Sequence, residues 1–232
     1  MGRERLRKLT ASVARGIYRA LPIMLGYAPI GAAYGLLSRQ AGCDVWTTLG
    51  LSIFVFAGAS QFMAISMMAG GASPVAIISS TFVVNFRHVL MAASLSPFVS
   101  SWKQWQRAAL GCMLTDESFV MHSRHFADGE ADPAAAIALN ASAYITWAAA
   151  SVAGFYIGGL TGDPRKFGLD FALPGMFIGL LMPLCRDKSS ATSAVAGGLS
   201  ALALHMAGAG NWATFLGAVA GASVGLAFGK DA

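Results

Sequence analysis

Residues 81–93 read Thr81-Phe82-Val83-Val84-Asn85-Phe86-Arg87-His88-Val89-Leu90-Met91-Ala92-Ala93, and this stretch decides the class of fold. From Val45 to Phe86 no Asp, Glu, Lys or Arg occurs, and apolar text resumes directly after His88. Arg87 is thus a single charge in the middle of lipid-like sequence. A guanidinium at the centre of a bilayer costs roughly 2.5–3.5 kcal/mol on translocon-type scales, so a charge kept there faces other helices and has a partner. The nearest candidates downstream are Asp116 and Glu117.

The whole composition agrees with that reading. Of 232 residues, 56% are hydrophobic and 12% charged, too apolar for a water-facing surface, which makes the chain an integral membrane protein. The net charge of +5 resides in the first nineteen residues, where Arg3, Arg5, Arg7, Lys8, Arg15 and Arg19 face only Glu4. It is therefore no nucleic-acid footprint. Leu6, Leu9, Val13 and Ile17 form an apolar stripe between these basic residues, so 1–19 reads as a basic amphipathic segment on the cytoplasmic side and 20–232 as one transmembrane helical domain. Cys43, Cys112 and Cys185 lack paired spacing, so neither disulfides nor a metal site is expected, and Cys112 and Cys185 read as small buried apolar residues. No cofactor is called for.

Eight apolar segments follow, over 20–38, 45–69, 74–96, 103–122, 133–160, 169–184, 189–207 and 212–228. The expected fold is an all-α, polytopic membrane helical bundle of about 7–8 spans, the lower number applying if the short sixth segment does not cross. With the N-terminus inside, basic residues concentrate on the cytoplasmic side. Trp102, Trp105 and Trp212 fall at segment ends, where interfacial anchors belong, and Trp147 falls in mid-segment, where it packs against helices. Ser73-Pro74 reads as an N-cap followed by the first helical position. Pro22, Gly26 and Pro29 of the first segment resemble Pro174, Gly179 and Pro183 of the sixth, both opening with Leu-Pro-x-Met. Paired interruptions of this kind point to an inverted repeat with broken helices, with a chance match of two short words as the competing reading. Gly217, Gly221, Gly225 and Gly229 recur every fourth residue and make a bare stripe for helix packing or for a second subunit, with Gly31 and Gly35 as a candidate opposing face.

Three words carry a family resemblance: Phe56-Ala57-Gly58-Ala59-Ser60-Gln61-Phe62, Asn85-Phe86-Arg87-His88-Val89-Leu90 and Leu114-Thr115-Asp116-Glu117-Ser118-Phe119. In order and spacing the trio resembles the AzlC family, the large subunit of two-component branched-chain amino acid exporters. Chains similar to this one often carry Tyr where Met91 stands. The resemblance implies an amino-acid substrate, a bacterial cytoplasmic membrane location and a small membrane partner similar to AzlD.

A zwitterion needs donors for its carboxylate, an acceptor for its ammonium and an apolar cup. Arg87, or backbone N–H groups near Gly58 and Ser60, suit the carboxylate if that helix is interrupted. Asp116 or Glu117 suits the ammonium, Gln61 and Asn85 add polarity, and Phe54, Phe62 and Phe86 are candidates for the cup. His88 with Asp116 is a candidate pair for proton coupling. The bland alternatives are an ion pair that pins two helices and a neutral, hydrogen-bonded His88. His122 and His125 read as part of a solvated loop with Asp128, Glu130 and Asp132, and His205 as a core residue. No Gly-Lys-Ser/Thr phosphate loop occurs, so a gradient is the expected energy source. The expected activity is secondary transport and not catalysis. The rivals are an intramembrane enzyme using His88, Asp116 and Glu117, and a non-transporting assembly subunit.

Overall fold

A computed structural model describes residues 2–159, 187–209 and 212–228, with positions 178, 181 and 185 between them. All regular structure among these residues is helical. Two compact units separate at Leu173 and Pro174. The first contains α1 (Gly2–Gln40), α2 (Val45–Phe54), α3 (Gly58–Ala69), α4 (Pro74–Asn85), α5 (Arg87–Leu95), a 3-10 turn (Ser96–Val99), α6 (Gln104–Cys112), α7 (Asp116–Ala127) and α8 (Pro133–Ile157). The second contains α9 (Lys188–Met206) and α10 (Trp212–Phe228).

Local chemistry sets most of the starts. Asp44, Ser73, Asp132 and Asp187 each cap a helix by accepting a backbone N–H from its first turn, and Pro74 and Pro133 occupy first helical positions where no N–H is needed. Positive φ at Gly42, Gly71, Gly129 and Gly208 turns the chain after four helices, a conformation that glycine adopts without a Cβ penalty.

The spine of the first unit is α1 against α8. Gly16 lies on Ala135, Gly31 on Trp147 and Ala150, Gly35 on Ser151, and Gly158 on Leu36, so the two helices run parallel. The approach is backbone to backbone: a Cβ on Gly35 would lie 1.8 Å from the Ser151 carbonyl oxygen, and one on Gly154 would lie 1.9 Å from that of Ala32. At one end Arg15 pairs with Asp132 at 3.0 Å and Arg19 pairs with Glu130, joining the basic end of α1 to the α7–α8 turn. This turn was expected to be simply solvated. The Arg19 hydrogen bond holds the exposed Glu130 carboxyl below its ordinary range.

Two parallel membrane helices require an odd number of crossings between them. Three segments lie there, and each is interrupted within its length. The second apolar segment splits into α2 and α3 around Val55-Phe56-Ala57, the third bends between α4 and α5 at Phe86, and the fourth splits into α6 and α7 around Met113-Leu114-Thr115. By length and composition α1, the continuous stretch Pro74–Val99 and α8 can each cross a membrane.

Several expectations change. α1 is unbroken for 39 residues with Pro22 and Pro29 inside it, so the first segment is not an interrupted helix. The flush packing of α8 supports it through the lost hydrogen bonds. Gly31 and Gly35 lie on Trp147, Ala150, Ser151 and Phe155 of α8. Gly217, Gly221 and Gly225 lie on Ala201, Gly197 and Ser193 of α9, so that stripe is packed within its own unit. Trp102 is buried with Leu95, Val99, Leu110, Leu114 and Phe126 and is no interfacial anchor, whereas Trp105 and Trp212 stay exposed. Cys112 is exposed, Cys185 is half-buried, and His205 lies on the open face of α9. Gly229 and nearly all of 169–184, including Pro174, Gly179 and Pro183, lie outside the described residues.

Substituting Ala for Gly154 should destabilise the protein by about 1–3 kcal/mol, because the new methyl meets the α1 backbone, which has no rotamer to give. Gly26, with nothing within 4 Å of its would-be Cβ, is the control. Melting in detergent checks this, and equal midpoints for Gly154→Ala and Gly26→Ala would refute the backbone contact.

Candidate functional site

The three interruptions coincide with the three sequence words, and side chains join them. Phe56, in the first gap, has φ of 39°, a left-handed backbone unusual for a residue with a large side chain. That turn directs its ring edge-on to Tyr144 of α8, with centroids 4.6 Å apart, and to Tyr27 of α1 at 6.5 Å. Tyr27 in turn meets the Trp147 ring at 5.1 Å and reaches the third gap, where its hydroxyl oxygen lies 2.8 Å from Thr115 Oγ1 and 2.6 Å from Glu117 Oε2, with one hydrogen to donate between them. Ser60 of α3 donates to Asn85 Oδ1 at the end of α4, at 2.6 Å. Arg87 at the start of α5 pairs with Asp116 at the start of α7, 2.9 Å apart. Trp147 is the fifteenth of α8's 25 residues, so the gaps gather midway along the spine.

Electrostatics explains the pairing. A helix N-terminus carries a partial positive charge, which favours Asp116 and disfavours Arg87. Arg87 at the first position of α5 therefore needs an anion nearby, and Asp116 supplies it. Thr115 caps α7 in a reciprocal box with Ser118, which orients the carboxylate that follows. The pair is not sealed: about a third of each side chain remains open, 35% for Arg87 and 33% for Asp116. Arg87 Nε is buried with no partner among the described residues. Ala57 precedes α3 without a side-chain acceptor, so the first backbone N–H groups of α3, at Gly58, Ala59 and Ser60, have no side-chain cap.

Not every expected residue joins this group. Gln61 faces the α2–α8 seam, where its amide donates to Ser52 Oγ at 3.0 Å and Ser52 to Ser151 Oγ at 3.1 Å. His88 turns back to the Asn85 carbonyl, with its Nδ1 3.0 Å away, and so sits at the bend between α4 and α5. The expected phenylalanine cup does not assemble: Phe54 is 89% exposed, Phe86 also points outward, and Phe62 is buried against Tyr34. The rings paired at the first gap are Phe56 and Tyr144 instead, with Tyr27 and Trp147 packed behind them. Sequence reading missed Tyr27, although a phenol inside a charge-free run, seven residues from a second phenol on the same helix face, was its available signal. His122 is not in a solvated loop either. It is buried in α7, with Nε2 2.8 Å from Asn140 Oδ1, and the Asn140 amide donates to the Leu110 carbonyl at 3.1 Å. No group of metal-ligating side chains forms among the described residues.

Residues 22–161 match the family model described as AzlC protein, a region that holds all three gaps. The inner membrane protein YgaZ of Escherichia coli K12 is 29% identical over 208 residues, covering 84% of this chain and 83% of that protein. The branched-chain amino acid transport protein AzlC of Bacillus subtilis 168 is 28% identical over 197 residues, covering 81% and 74%. An uncharacterized membrane protein of Helicobacter pylori J99 is 31% identical over 168 residues, 70% of this chain and 71% of that one. No solved structure matches. With more than half of its length under the family model and the three words gathered at one set of helix breaks, this membrane chain belongs to the AzlC family.

Proposed function

We propose that the chain is a secondary transporter that exports branched-chain or related apolar amino acids across the bacterial cytoplasmic membrane. The observation that carries this reading is the convergence of three helix breaks, joined by Ser60 to Asn85, Arg87 to Asp116 and Tyr27 to Glu117, on an Arg87–Asp116 pair of which about a third stays open. Helix ends meeting midway across a bundle are the means by which transporters coordinate small charged solutes. A pair that only pinned α5 to α7 would not require the neighbouring breaks at Phe56 and Thr115. The name of the Bacillus subtilis relative supports the substrate class.

The amino-acid carboxylate is assigned to the N–H groups of Gly58, Ala59 and Ser60 and to the unused Nε of Arg87. Asp116, oriented by its cap, takes the ammonium. The side chain lies against Phe56 and Tyr144, whose faces accept branched aliphatic groups without a polar partner. Asn85, held by Ser60, links the binding helix α3 to the bend that carries Arg87 and His88. Transport is driven by an ion gradient, and a small membrane subunit similar to AzlD completes the exporter. The N-terminus is assigned to the cytoplasm on the excess of basic residues in 1–19. An intramembrane enzyme is the weaker reading, because the buried hydroxyls near the gaps do not meet a base: Ser60 donates to the Asn85 amide oxygen and Ser118 to the Thr115 carbonyl.

Arg87→Ala and Asp116→Asn should each lower export of labelled leucine or valine by about tenfold or more, the worth of a charge-assisted contact, while leaving membrane insertion unchanged. Efflux from preloaded cells reads this out, and normal rates in both variants would remove the pair from the site. A panel of labelled amino acids, tested in vesicles with and without the small companion, should rank leucine, isoleucine and valine above charged ones. A preference for charged substrates would contradict the aromatic lining.

A further inference from the structure

Asp116 and Glu117 are adjacent carboxylates in different surroundings. Asp116 faces a cation at 2.9 Å. Among the described residues no cation lies within ion-pair distance of Glu117. Its partner is the hydroxyl of Tyr27, a residue 7% exposed, which is also within 2.8 Å of Thr115 Oγ1. Tyr27 thus has two acceptors and one hydrogen. Beyond it the chain continues: Thr115 Oγ1 to Ser118 Oγ at 3.3 Å, and Ser118 Oγ to the Thr115 carbonyl at 3.2 Å.

We infer that Glu117 is the carboxylate that carries the coupling proton, and that Tyr27 is the positioning residue that satisfies it in both protonation states. With Glu117 ionised, the Tyr27 O–H donates to Oε2 and the Thr115 O–H donates to the phenol oxygen. With Glu117 protonated, its own O–H donates to the phenol oxygen and the Tyr27 hydrogen swings to Thr115 Oγ1. Thr115 then donates to Ser118, and Ser118 to the backbone carbonyl. Only hydroxyl hydrogens move between the two arrangements, and no buried donor or acceptor is stranded in either. The proton comes from water on the outer side, rests on Glu117 Oε2 and leaves to water on the cytoplasmic side, so one proton enters for each such cycle.

The groups around Glu117 fit this role. From α1 it meets Tyr27, on its own helix Thr115 and Asp116, and the charge of Asp116 is already matched by Arg87 of α5. The α8 side contributes Trp147, which packs on Tyr27. The other candidates are otherwise engaged: neutralising Asp116 strands Arg87, and His88 holds the bend at Asn85. Thr115 is also the cap of α7, so the direction of its hydrogen reports the protonation state to the helix end that presents Asp116.

This inference rests on the transport reading, and the experiment separates the two. Everted vesicles carrying the full chain together with its small companion subunit, from cells without other leucine exporters, are assayed for labelled-leucine exchange at equal pH and for uptake driven by an interior-acid gradient. Wild type should show both. Tyr27→Phe should keep exchange within about twofold of wild type and lose gradient-driven uptake by about tenfold, the worth of a hydrogen bond to a charged group. Glu117→Gln should show no response to the gradient. Gradient-driven uptake at wild-type level in both variants, or a Tyr27→Phe defect equal in both assays, overturns the proton switch and leaves the transporter standing. Absence of exchange in wild type overturns the transport reading and the switch with it.

Discussion

A polypeptide inside a bilayer has no water to satisfy its backbone, and every interruption of a helix there must be met by protein. Three neighbouring segments of this chain are interrupted, and the structure depends on bringing those interruptions to one place. Spread apart, each gap would expose unpaired N–H and C=O groups to lipid. Gathered together, they share hydroxyls, a carboxamide, a guanidinium and two carboxylates, and side chains of one break pair with those of the next.

The gathering needs a rigid wall, and α1 with α8 provides it. Glycine on both helices lets backbones touch, so dispersion contacts accumulate along the full length of the pair, the main source of helix association where surrounding lipid is as apolar as the side chains. Tyr27 and Trp147, buried at the middle of this wall, set the depth at which the gaps meet. The wall also explains an apparent contradiction in α1: two prolines that would break an isolated helix are accommodated within one that is packed along its length.

Charge placement follows from the same geometry. Arg87 begins α5, where the helix dipole opposes it, and Asp116 begins α7, where the dipole helps it. Each helix start therefore favours the pair as a unit and neither favours Arg87 alone. About a third of both side chains stays open, whereas the fully buried Gln61, Ser52 and Ser151 bind one another in the α2–α8 seam. Polar residues of this chain thus divide into a part-open group at the helix breaks and a sealed group in the α2–α8 seam.

Much of this was legible in the amino-acid order. Hydropathy, the cap at Ser73, and the isolation of Arg87 above two downstream acids are properties of a few consecutive residues, so they establish an all-helical membrane chain and name Arg87, Asp116 and Glu117 as residues to watch. The breaks at Phe56 and Thr115, the return of His122 to Asn140, the burial of Trp102 and the arrival of Tyr27 at Glu117 were decided only in three dimensions. The bond from His122 to Asn140 spans 18 positions and that from Tyr27 to Glu117 spans 90. Local pattern shows that a residue prefers helix or lipid, but which side chain completes a broken helix depends on the close approach of α1 to α8, and that approach is a property of the packed whole.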